Sequence, residues 1–146
     1  MKILIKIPVK SDAETVANGF TRELFQKLRP PMTSLKILRY DGNTPGDEVH
    51  LKVGVFFFKQ RWISKITDSW DNDDEWGFED IGLKLPFFLK SWKHRHRVQK
   101  NLDGSTIIED IDFEPRFRIL RNLIRQVLYL QFKSRKTVYQ RHFGKE

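Results

Sequence analysis

From Arg116 to Phe143 the chain holds neither proline nor glycine, and its apolar residues recur at helical spacing. Phe117, Leu120, Ile124, Val127 and Leu128 share one broad face, with Ile119, Leu123 and Leu130 at its side. Arg118, Arg121, Arg125, Lys133 and Lys136 fall largely on the remaining arc. The spacing predicts one amphipathic helix over Arg116 to Phe143, roughly seven turns long, with Leu120, Ile124, Val127 and Leu128 buried. Such a helix draws its stability from an apolar surface of matching length. The residues before it must build that surface.

They read as strands. Lys2 to Val9 is β-branched and apolar, and it is followed by two short helical stretches, Asp12 to Phe20 and Thr21 to Leu28, ended by Pro30-Pro31. Extended segments then follow over Leu35 to Tyr40, Glu48 to Phe57, Lys59 to Trp70, Trp76 to Ile81, Ser91 to Lys100 and Ser105 to Phe113. Asp41-Gly42-Asn43, Pro45-Gly46-Asp47, Asp71 to Asp74 and Asp103-Gly104 supply the turns. The expected class is α+β: a curved antiparallel sheet of about seven strands, one face covered by the long helix, with the short helix pair closing one end. The natural cavity lies between sheet and helix.

Composition narrows the function. A length of 146 residues suits a single domain over 1–146, and 12 Phe and 4 Trp are enough large apolar side chains for one core. The absence of cysteine rules out disulfides, thiolate metal sites and a cysteine nucleophile. Lys2, Lys6 and Pro8 interrupt the apolar continuity of a secretory segment, and Arg121, Arg125 and Gln126 interrupt the most apolar helical stretch, so the expectation is a cytoplasmic protein without a transmembrane segment. The net charge of +8 is polarised, with acidic groups at Asp68 to Asp80 and Glu109 to Glu114 and basic ones at Lys90 to Lys100 and Arg116 to Lys145. Nucleic acid is not an expected partner; contact of the basic helix with a polyanion or an anionic membrane surface is a secondary reading. Dinucleotide, P-loop, zincin and hydrolase-elbow motifs are all missing.

One strand carries the chemistry. In Ser91 to Val98, Trp92, His94, His96 and Val98 share a face, while Lys93, Arg95 and Arg97 share the other. Three cations in a row belong in water, so the two imidazoles face inward, about 6 to 7 Å apart by strand spacing. On the next strand Glu109 stands among inward Ile107, Ile111 and Phe113, and the same alternation turns Trp62, Ser64 and Ile66, and Trp76, Phe78 and Asp80, to the interior. The candidate cavity is therefore lined by Trp62, Phe78, Asp80, Trp92, His94, His96, Glu109 and Phe113, with Leu120 and Ile124 from the helix. The polar members fit ligand contacts, a buried hydrogen-bonded network, or a minimal His/His/carboxylate metal set. No nucleophile or oxyanion donor is identifiable, so no catalytic residue is assigned, and no metal or cofactor is expected.

The element order, with Leu85-Pro86-Phe87 leading into Ser91-Trp92-Lys93-His94-Arg95-His96, then Asp103-Gly104-Ser105-Thr106 and Glu109-Asp110-Ile111, resembles the ligand-binding branch of the SRPBCC superfamily. That is the group of START lipid-transfer domains and birch-pollen-type allergens. Trp92, His94 and His96 match its Trp-x-His-x-His pattern; Glu109 stands where an aspartate is usual, and Leu85 where a glycine is. The resemblance implies a helix-grip fold that binds a small hydrophobic or amphipathic molecule without catalysis. A cyclase-, dehydratase- or hydrolase-like enzyme using His94, His96 and Glu109 is the alternative.

Overall fold

The computed structural model describes residues 1–55 and 58–145. Strands β1 (Lys2–Val9), β2 (Ser34–Tyr40), β3 (Glu48–Val55), β4 (Phe58–Asp71), β5 (Glu75–Lys84), β6 (Leu89–Lys100) and β7 (Ser105–Pro115) form one sheet. Its order is β1-β7-β6-β5-β4-β3-β2, and every pairing is antiparallel. Irregular register in β2/β3, β4/β5 and β6/β7 bends the sheet, as bulges do. Phe56 and Phe57, expected at the end of β3, lie outside the described residues.

Between β1 and β2 stand α1 (Ala13–Gly19) and α2 (Arg22–Lys27). Asp12 caps the first by accepting from Thr15 N at 2.8 Å, and Thr21 caps the second by accepting from Leu24 N at 3.3 Å. The β6–β7 hairpin turns at Gly104, whose φ of +85° favours glycine and whose added Cβ would collide with the Val9 carbonyl oxygen.

The C-terminal segment departs from the expected helix at its start and in its burial. Arg116 and Phe117 are not helical, Arg118–Leu120 is a 3-10 turn, and α3 (Arg121–Lys133) and α4 (Arg135–Phe143) follow. Phe117 and Leu120 offer no side-chain cap, so nothing holds an earlier α-helical start. At Ser134 the backbone stays right-handed helical, but its Oγ donates back to the Gln131 carbonyl at 2.6 Å, which loosens the ladder between α3 and α4. The helix packs against β1 and β7. Its buried stripe is Ile124, Leu128, Phe132, Tyr139 and Phe143, whereas Leu120 and Val127, expected inside, are 39% and 45% exposed. One narrow row at helical spacing meets the curved sheet, so the flanking apolar positions stay in water.

Sheet faces alternate sharply. On β6, Trp92, His94, His96 and Val98 are buried. Arg95 and Arg97 lie on the convex side, where they reach Glu79, Asp110 and Asp112, and Glu75 and Asp110, respectively. The helix end is pinned to the β1–α1 junction: Ser11 Oγ donates to the Phe143 carbonyl at 2.8 Å, and Ser105 Oγ to the Ser11 carbonyl at 2.8 Å.

The corrected helix register gives a test. Leu128→Ala should cost about 2 to 5 kcal/mol in denaturant unfolding, and Leu123→Ala, at an exposed position, should change stability by less than about 0.5 kcal/mol.

Candidate functional site

The bent sheet, the short helices and α3 enclose a cavity of about 480 Å³. Its walls come from α2, from β2 through β6 and from the α3–α4 junction, and they are mostly apolar. Trp62 and Trp92 meet edge to face at 4.8 Å, and Phe132 lies 5.7 Å from Trp92. Phe58 and Phe87, which also line the space, are 73% and 58% exposed, so this is where the cavity reaches solvent.

The charged and imidazole groups gather on one wall. Alternation along β5 and β6 aims Asp80, His94 and His96 inward together, since Asp80 stands opposite His94 in register. His96 Nε2 lies 3.1 Å from Asp80 Oδ2, and His94 Nε2 lies 2.5 Å from Glu109 Oε2. The other Glu109 oxygen accepts from Tyr139 Oη at 2.8 Å and from Arg135 Nη1 at 3.0 Å. The Arg135 guanidinium packs over the Phe132 ring at 4.1 Å. Asp80, His96, His94, Glu109 and the α4 pair thus form one continuous polar chain across three strands and a helix. Its members are nearly dry: Glu109 and Tyr139 are 0% exposed, and the side chain of Arg135 only 11%.

Burial sets the charges. It pushes the Glu109 carboxyl up, but the Arg135 guanidinium, followed by His94 and His96, outweighs it and holds Glu109 well below the usual carboxylate range. Burial, with Glu109 beside it, lifts the Tyr139 phenol well above its ordinary value, so it donates as a neutral hydroxyl. Burial acts against the Arg135 charge, but Glu109 overcomes it and raises the guanidinium pKa further. Burial and then the neighbouring His94 lower His96 below the ordinary imidazole value, against the pull of Asp80. His96 Nδ1 is buried and, among the described residues, has no hydrogen-bond partner.

Trp62, Phe78, Asp80, Trp92, His94 and His96 line the cavity. Glu109 is not part of that lining and acts through His94. Phe113 and Ile124 are buried in the core beside it, and Leu120 is a surface residue. The imidazoles are closer than strand spacing predicts, with ring centroids 3.7 Å apart, because a concave face brings inward side chains together. Arg135, Tyr139, Phe132 and Phe20 belong to the site without having been expected there. A signal existed for the first two: Leu128, Phe132, Arg135 and Tyr139 continue the stripe of Ile124 at helical spacing, which put an arginine on the buried face. Phe20, at a helix end, packs within 6.1 Å of Trp76, Phe78, His96 and Tyr139, and no local pattern marks it.

No protein-family model and no curated protein sequence matches the chain. Solved structures do. A protein from Chromobacterium violaceum superposes with a TM-score of 0.71 at 12% identity, covering 100% of this chain and 99% of its own. An aromatase/cyclase from a Streptomyces species gives 0.69 at 15% identity over 94% of this chain and 90% of that one. The major latex-like protein of Panax ginseng gives 0.64 at 16% identity, covering 96% of each. The fold is therefore the helix-grip fold that the sequence resemblance implied. Among the described residues no helix is long and apolar enough to cross a membrane.

Glu109→Gln should destabilise the protein by about 3 to 5 kcal/mol, because it strands the Arg135 charge in the interior. Glu109→Leu combined with Arg135→Met should recover most of that loss, and Tyr139→Phe alone should cost about 1 to 3 kcal/mol. Thermal and urea unfolding of the variants measure all three.

Proposed function

We propose that the protein binds a small amphipathic molecule in the cavity between sheet and C-terminal helix, its apolar body against the aromatic walls and its polar end on the wall formed by Asp80, His94, His96 and Arg135. One observation carries this reading: a mostly apolar interior space of about 480 Å³ whose charged and imidazole side chains, Asp80, His94, His96 and Arg135, stand together, with only neutral polar groups elsewhere in the lining. Binding pockets combine apolar walls with a few placed polar groups in this way. An apolar body burying roughly 200 Å² would contribute about 5 kcal/mol before association costs. Solved structures of the same fold include an aromatase/cyclase and a norcoclaurine synthase variant with a transition-state analogue bound, which supports a small-molecule role for the cavity.

A second reading rests on the two imidazoles of the cavity wall, each backed by a carboxylate. Such pairs can move a proton in general acid–base catalysis. A bell-shaped pH dependence of turnover on a bound compound would favour it over simple binding.

The binding reading is tested with a panel of naphthalene derivatives carrying one polar substituent, followed by quenching of Trp62 and Trp92 fluorescence. Saturable quenching is expected, together with a ligand-dependent rise in melting temperature. Ser64→Phe, which fills the cavity from β4, should abolish the quenching while circular dichroism stays native. His96→Phe should weaken polar-ended ligands by about 1 to 3 kcal/mol and leave naphthalene itself unaffected. Undiminished binding to Ser64→Phe would overturn the assignment of the cavity.

A further inference from the structure

We infer that Asp80, His94 and His96 form a binding site for a divalent transition-metal ion of the zinc class, with its open coordination position facing the cavity. The donor atoms are already gathered. Asp80 Oδ2 lies 3.1 Å from His96 Nε2 and 3.9 Å from His94 Nδ1, and one ligand atom from each residue falls within 4.8 Å of the others. Metal–ligand bonds of about 2.0 to 2.1 Å at tetrahedral angles place ligand atoms about 3.4 Å apart, so these separations bracket what one ion requires. All three residues are at most 8% exposed, and all three line the cavity.

Two further features distinguish this cluster from an ordinary buried network. His94 directs its other nitrogen, Nε2, at Glu109 Oε2, and Glu109 is itself fixed by Arg135 and Tyr139. A carboxylate behind an imidazole sets which nitrogen carries the proton and leaves Nδ1 free to bind a metal. The second feature is the orphaned His96 Nδ1. While Nε2 donates to Asp80, Nδ1 is a buried lone pair without a donor. Metal binding at Nε2 moves the proton to Nδ1, which then faces the Glu109 carboxylate across 3.9 Å, beyond hydrogen-bond reach but within reach of its charge. The buried Nδ1 then turns a hydrogen rather than a lone pair toward a negative charge, which favours the metal-bound form.

Two nitrogens and one carboxylate oxygen suit Zn²⁺, Co²⁺ or Ni²⁺ rather than Mg²⁺ or Ca²⁺, which prefer all-oxygen sites. The sequence leaves the carboxylate of a His/His/carboxylate set unassigned between Asp80 and Glu109; the geometry favours Asp80 as ligand and gives Glu109 the supporting position. The site does not depend on an organic ligand, so the test uses the ion alone.

Protein dialysed against a chelator is titrated with CoCl₂ and, separately, ZnSO₄, by calorimetry and visible absorption. The expected result is saturable uptake of one ion per chain and a four- or five-coordinate Co²⁺ spectrum. Asp80→Asn and His96→Gln should each weaken binding on the order of 100-fold, and Glu109→Gln about 10- to 100-fold. The double variant His50→Ala/His142→Ala, which removes the histidines outside the cluster, should bind as the wild type does. Imidazole resonances of the unmodified protein, followed by NMR during the Zn²⁺ titration, report the site even where a variant fails to fold; His94 and His96 should shift together. No saturable uptake overturns the proposal, as does uptake that shifts His50 or His142 and leaves His94 and His96 unmoved.

Discussion

The carboxylate of Glu109 is the point on which the interior is organised. It is 0% exposed, and an ion in such a place persists only when every lone pair is occupied and a counter-charge stands close by. His94 from β6 occupies one oxygen; Tyr139 and Arg135 from α4 occupy the other. These three bonds fix the register of the C-terminal helix on the sheet, since a shift of one helical turn would leave Arg135 and Glu109 buried apart. Buried ion pairs contribute little net stability against a well-packed apolar pair, yet they penalise every wrong alignment heavily. The apolar stripe of Ile124, Leu128 and Phe132 supplies burial, and Glu109 supplies the alignment.

The two faces of β6 answer the same electrostatic problem in opposite ways. On the convex face, Arg95 and Arg97 remain about 30% exposed and share Glu75, Glu79 and Asp112 with solvent, so those pairs are screened and individually weak, while the 7% exposed Asp110 is held between the two arginines. On the concave face, His94 and His96 meet carboxylates with almost no water present. One strand thereby separates a solvated charge lattice from a dry polar wall, and the alternation of side chains along it is what keeps the two apart.

That alternation is why so much was legible in the sequence. The cationic row Lys93, Arg95, Arg97 could not face inward, which placed Trp92, His94 and His96, and the same logic placed Asp80 and Glu109. Turn chemistry at Asp103-Gly104 and the caps at Asp12 and Thr21 marked element ends for local reasons that a sequence displays directly. What the sequence did not display was curvature. The distance between the imidazoles, the exposure of Leu120 and Val127, and the arrival of Phe20 beside His96 all depend on how far the sheet bends and where the helix lands on it. Arg135 and Tyr139 are the intermediate case: their spacing put them on the buried stripe, but an arginine's charge argues for water unless its carboxylate partner is already known.

Curvature also explains why the cavity stays open. The C-terminal helix lies on β1 and β7, and its narrow stripe does not extend over β3 and β4, whose inward residues Leu51, Trp62, Ser64 and Ile66 therefore face space. The helix could cover them only by leaving the edge where Glu109 holds Arg135. The same ion pair that aligns the helix thus prevents it from closing the interior, and the polar wall of Asp80, His94 and His96 faces a mostly apolar space. A ligand's polar end or a metal ion would meet that wall at the same atoms. The two can coexist, because an ion held by these three side chains presents its remaining coordination position to the cavity.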